Sequence, residues 1–177
     1  LYKNAHNGKA PTSTSPIKIT AWFITHSHGD HYQACIEFLK KYGKNGKIQM
    51  NYLLGNFPTA HEIYTVQNTS LLMGITSMQE SVKGGFTFIK AHTGQKFYFA
   101  NMELEILATF EDHLPFTKLT SANDACVVTK MKLKNSTAPN SSVTCMFLAD
   151  AFRYQSRFLC AMYGTYLKST MGQVQCL

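Results

Sequence analysis

"FITHSHGDHYQ", residues Phe23–Gln33, sets three histidines and an aspartate within six positions, directly behind an apolar run. Only seven histidines serve the whole 177-residue chain, so this crowding needs a physical reason. The preceding "IKITAWFI" (17–24) is rich in β-branched and aromatic residues and reads as a strand that stops at the histidines. Beyond them Cys35, Phe38, Leu39 and Tyr42 recur at helical spacing, and "YGKNG" closes that helix with glycine. The cluster therefore joins a strand to a helix. In extended backbone His26 and His28 point the same way, so two imidazoles can converge on one cation. Gly29 permits a sharp turn, after which Asp30 and His31 reach a second position nearby. Imidazole suits zinc, and a mixed carboxylate–imidazole set also suits iron or manganese. Two such ions a few ångströms apart hold a bridging hydroxide at neutral pH and polarise a substrate oxygen.

Working outward, residues 1–16 are polar, with two prolines and a Ser/Thr cluster, and read as a lead-in or linker to a domain spanning 17–177. "KIQMNYLLG" (47–55) reads as a second buried strand, and residues 68–83 as a helix closed by Gly84 and Gly85. Strand-like runs follow at 86–90, 96–99 and 102–109, the last two joined by a turn near Asn101. "ACVVTKMKLK" (125–134) and "SVTCMFLA" (142–149) are further strands, and a helix covers 152–163. Helices alternate with strands first and strands then cluster, which fits an α/β sandwich with a mixed sheet.

The composition narrows the setting. A formal charge of +7 and a pI near 9.2 favour anionic partners, nucleic acid among them, or serve solubility alone. No apolar run approaches the roughly 20 residues that span a bilayer. The opening shows no signal-peptide pattern, though the chain begins without Met. Cys35, Cys126, Cys145, Cys160 and Cys176 are odd in number and form no C-x-x-C pair, so a reducing compartment, the cytoplasm first, is expected. The sequons at Asn68, Asn135 and Asn140 read as accidental in a chain rich in Ser, Thr and Asn.

"THSHGDH" resembles the H-x-H-x-D-H signature of the metallo-β-lactamase fold superfamily of metal-dependent hydrolases. The wider "ITAWFITHSHGDHYQACIEFL" looks like the branch related to the soluble domain of the competence protein ComEC. "NDACVVTKMKL" (123–133) is similar to that branch's N-[DN]-x-S strand, with Cys126 in place of serine. "TCMFLADA" (144–151) is similar to its strand ending in Leu-Gly-Asp, with Ala149 in place of glycine. The resemblance runs from about Ile17 onward and implies an αββα sandwich, incomplete at both ends, with two divalent metals, zinc first. It assigns His26 and His28 to the first metal, Asp30 and His31 to the second, and Asp150 as the bridge between them. Asp30 would also orient the hydroxide, and so carry catalysis. Asp150 is a lone acid ending an apolar strand, costly there unless paired; its other reading is the N-cap of the helix near Phe152.

The chain departs from the family pattern at Phe110, where relatives place a histidine for the first metal; His113 is the candidate substitute. The expected last histidine and the family's opening strand have no counterpart, so the chain reads as an internal piece of a longer domain. His6, His61 and His92 lie in polar contexts and read as surface residues. Lys130, Lys132 and Lys134 share one strand face, read first as a solvated face and second as a phosphate track. The expected function is metal-dependent hydrolysis, with a phosphodiester or nucleic acid favoured as substrate. A small ester, lactone, thioester or β-lactam is the alternative, and a degenerate, non-catalytic metal-binding domain the third.

Overall fold

The computed structural model describes residues 8–59, 61–62, 66–112, 119–135, 137–138, 141–151 and 153–171. Among these the chain forms a mixed α/β protein of three α-helices, a parallel three-stranded sheet and an antiparallel four-stranded sheet. It divides into two compact units, Leu1–Lys90 and Ala91–Leu177. No helix among the described residues is long and apolar enough to cross a membrane.

The first unit runs β1 (Ile17–Phe23), α1 (Gly29–Tyr42), β2 (Ile48–Gly55), α2 (Val66–Ser81) and β3 (Thr87–Lys90). All three strands are parallel in the order β1-β2-β3, with Ile17 opposite Ile48 and Tyr52 opposite Thr87. Parallel neighbours need a long crossover, and α1 and α2 supply the two required here. The buried face of α1 carries Tyr32, Cys35, Ile36 and Leu39, at the three- and four-residue intervals of a helix. These pack with Ile48, Met50 and Leu53 of β2 and Leu71, Ile75 and Met78 of α2 in one core. The two helices approach closely at Gly74, where a Cβ would lie 2.6 Å from Ile36 Cδ1. The α2 helix ends two residues before the expected 83, because Gly84 and Gly85 turn the chain with φ of +87° and +66°.

The second unit holds β4 (Lys96–Phe99), β5 (Met102–Ala108), β6 (Val128–Lys134), β7 (Ser142–Phe147) and α3 (Arg153–Met171). Its strands are antiparallel in the order β4-β5-β6-β7. Phe99 pairs with Met102, which leaves Ala100–Asn101 as a two-residue hairpin turn, as expected near Asn101. Leu107, Ala108, Val128 and Leu159 form this unit's core cluster, with Phe158, Tyr163 and Leu167 of α3 against it.

Three expectations are corrected. The strands do not form one mixed sheet, because helical crossovers link the parallel strands of the first sheet and connections other than helical crossovers link the antiparallel strands of the second, and each stays pure. The strand expected from 125 begins at Val128, because Ala122–Ala125 form a 3₁₀ turn with a capping box between Ser121 and Asp124. The last helix runs to Met171 instead of 163, because Tyr163 and Leu167 continue its apolar stripe past Gly164.

Candidate metal centre

The first unit presents its histidines where β1 hands over to α1. The parallel ladder extends one residue beyond β1, with Ile24 N donating to Leu54 O at 2.9 Å, and then the pairing stops. His28 takes the N-cap position of α1 in extended backbone (φ −78°, ψ 143°), yet its side chain makes no capping hydrogen bond. Its carbonyl accepts from His31 N at 3.0 Å and Tyr32 N at 3.3 Å, so the backbone is fixed while the imidazole points elsewhere. It points at His26: His26 Nε2 and His28 Nδ1 are 3.1 Å apart.

His26 is fully buried and sits at the middle of the cluster. Its ring lies 4.9 Å from that of His28, edge to face, and 4.1 Å from that of His31. A ligating nitrogen of His26 and one of His31 fall within 4.8 Å of each other. Thr25 Oγ1 lies 3.1 Å from His26 Nδ1. With Nδ1–H donating to that hydroxyl, Nε2 presents its lone pair to the cluster, the outer-partner arrangement usual for metal-bound histidine. Two nitrogens sharing one zinc at bonds of about 2.0–2.1 Å in tetrahedral geometry lie roughly 3.3 Å apart. The observed 3.1 Å fits that spacing, and equally a neutral pair with one donor and one acceptor nitrogen.

Asp30 opens α1, where a carboxylate is favoured by the helix dipole. Its Oδ2 stands 3.6 Å from His31 Nε2, with the Asp30 side chain 80% exposed and that of His31 28% exposed. The spacing of the sequence suggested two separate pairs; the structure gathers His26, His28 and His31 around one buried ring, with Asp30 at the solvent edge. Ser27, between the first two histidines, is buried and its Oγ has no hydrogen-bond partner. An orphaned buried hydroxyl costs about 1–3 kcal/mol. The donor set itself, three imidazoles with a carboxylate at the edge, fits a divalent ion.

The other expected residues lie in the second unit. Asp150 is exposed and ends the turn after β7, preceded by Ala149 at φ 50°. The first helical residue of α3 is Arg153, so Asp150 does not occupy the N-cap position. Burial pushes the Cys126 thiol up to about 12, and a hydrogen bond with the Asp150 backbone partly opposes that rise. Phe110 is fully buried in a 3₁₀ turn, Phe110–Asp112, and serves as a packing residue. Its acidic neighbours are engaged. Glu111 Oε2 lies 2.8 Å from His92 Nδ1, and Asp112 Oδ2 accepts from Thr109 N at 2.7 Å and Thr93 Oγ1 at 2.6 Å. His92 and His61 are exposed, as expected of surface residues, while His6 and His113 lie outside the described residues.

Sequence reasoning missed two polar devices here. Gln155, fully buried, donates from Nε2 to Asp124 O at 2.7 Å and to Asn123 O at 3.1 Å, fastening α3 to the capped turn. The lysine row was read as solvated, but Lys130 is 8% exposed and ion-paired to Glu105 Oε2 at 2.5 Å. No protein-family model matches the chain, and no curated protein matches it.

Proposed function

We propose that the chain is a metal-dependent hydrolase resembling the metallo-β-lactamase fold superfamily, with an αββα sandwich and phosphodiesters or nucleic acid as its substrate class. The observation that carries the proposal is the 3.1 Å approach of His26 Nε2 to His28 Nδ1, with the His31 ring 4.1 Å from His26. His26, His28 and His31 would hold divalent ions, zinc first, with Asp30 completing the set. A bound ion of this kind supplies Lewis acidity and brings the pKa of a bound water toward neutrality. Asp30, at the exposed edge, would accept the hydrogen bond that orients the attacking water and receive its proton. Asp150 enters as bridging ligand by the sequence resemblance. The surplus of positive charge favours an anionic substrate.

One observation favours a second reading. Phe110 is core-packed where relatives place a histidine, which suits a member that binds metal without turning over substrate. Hydrolysis of bis(p-nitrophenyl) phosphate by the zinc-loaded chain separates the two. Under the leading proposal Asp30→Asn loses roughly a hundredfold in rate or more and keeps its thermal stability within a few degrees. Metal binding with no turnover in the parent chain selects the second reading.

A further inference from the structure

The antiparallel sheet carries a charged face that the metal chemistry does not use. The register sets Glu103, Lys132 and Thr144 in one row, Glu105, Lys130 and Met146 in the next, and pairs Lys134 with Ser142. Lys96 joins from β4 opposite Glu105. Directly paired residues project to the same face, so four lysines meet two glutamates and the face is net positive.

Four of the six charges on this face pair with one another. Lys130 Nζ donates to Glu105 and to the Tyr166 hydroxyl from α3, and that hydroxyl donates to Glu105 Oε2 at 3.0 Å. Burial pulls the Lys130 ammonium down, but its bonds to Glu105 and Tyr166 outweigh that, and it stays charged throughout the neutral range. An ammonium carries three donors, so one remains. Lys96 lies 3.4 Å from Glu103, which engages that carboxylate. Lys132 is exposed and makes no ion pair among the described residues.

A cavity of about 190 Å³ opens here, lined by Glu103, Lys130, Lys132, Ser142, Thr144 and Tyr166. Its donors are two ammonium groups and the hydroxyls of Ser142 and Thr144, while the one proton of Tyr166 is committed to Glu105. We propose that this cavity is an oxyanion site that takes a phosphate group, either free or within a phosphodiester chain. Lys132 supplies the unpaired charge, Ser142 and Thr144 supply neutral donors, and the Glu105–Tyr166 pair holds Lys130 in place. The site needs no metal, and its failure would leave the histidine cluster untouched.

The test titrates the full chain, in buffer containing a chelator, with inorganic phosphate in one arm and a fluorescein-labelled oligothymidylate in the other. Lys132→Ala and the pair Ser142→Ala/Thr144→Val change positions outside the buried network, and circular dichroism checks their fold. Lys132→Ala should weaken binding about tenfold, as expected for a charge-assisted hydrogen bond, and the hydroxyl pair several-fold. A loss in the phosphate arm alone assigns the site to free phosphate. A loss in the oligonucleotide arm, with the salt slope falling by about 0.7, assigns it to a phosphodiester backbone. No saturable binding of either probe, or binding that both variants leave unchanged, overturns the proposal.

Discussion

Replacing Lys130 with methionine tests how the second unit is held together. The substitution keeps most of the aliphatic stem and removes the ammonium of a residue that is only 8% exposed. Glu105 then keeps the Tyr166 hydroxyl at 3.0 Å and Lys96 at 3.8 Å, but loses its closest cation. Stripping one partner from a buried pair costs about 3–5 kcal/mol; with these two contacts retained, the low end, about 3 kcal/mol, is expected. The double variant Lys130→Met/Glu105→Leu removes the stranded charge and should return to within about 1 kcal/mol of the parent. Adding Glu105→Leu to Lys130→Met thus recovers about 2 kcal/mol, the kind of non-additivity that a double-mutant cycle reads. Urea unfolding followed by far-ultraviolet circular dichroism reads it, since the single tryptophan, Trp22, lies in the other unit.

The same cycle has a pH signature. Burial pushes the Glu105 carboxyl up, but hydrogen bonds from Lys130 and Tyr166 and the charges of Lys130 and Lys96 outweigh it, leaving it below the usual glutamate range. A depressed carboxyl stabilises above its unfolded value and loses that contribution as pH falls through the folded one. Lys130 is raised, so its contribution is complete below the usual lysine range and fades as pH climbs past it. The gap between parent and Lys130→Met should be widest near neutrality and close at both extremes. A single variant within about 0.5 kcal/mol of the parent, or a double variant no better than the single, would refute this view of the network.

Ala149 holds φ 50°, a left-handed conformation that favours glycine, so Ala149→Gly should raise stability by about 0.5–1 kcal/mol; a destabilised variant in thermal melts contradicts that strain. Burial pushes the Cys35 and Cys126 thiols up to about 12, while Cys160 is exposed. Iodoacetamide at pH 8 should therefore modify Cys160 in the native chain and reach Cys35 and Cys126 only after denaturation. Peptide mass mapping checks this, and equal labelling rates for Cys126 and Cys160 would show that the burial is wrong.

The first unit was the more legible from sequence, and the reason is local. "IKITAWFI", the histidines and the Cys35–Tyr42 stripe each declare themselves within a few residues, and the structure forms strand, cluster and helix in that order. The grouping of three histidines around His26 was less legible, because two-residue spacing shows that His26 and His28 can meet but not where a helix start brings His31. Lys130 was misread for a long-range reason. Period-two lysines look alike on a solvated or a covered face, and what covers this one is Tyr166, 36 residues away. Phe110 looked like a ligand lost, and as a fully buried residue it is a position gained for packing. Ala149 was visible only as a departure from glycine until its φ supplied the reason.

The most direct measurement is zinc affinity by chelator competition on the parent chain and on His28→Ala, with metal content read by elemental analysis. If His26 Nε2 and His28 Nδ1 hold one ion between them, the parent binds at least one equivalent, and His28→Ala binds at least about a hundredfold more weakly. Both proteins should unfold at nearly the same urea concentration in chelator, because the lost imidazole makes no capping bond. A parent chain that binds no zinc, or a His28→Ala variant that holds it as tightly, would reduce the 3.1 Å contact to a neutral hydrogen bond between two imidazoles.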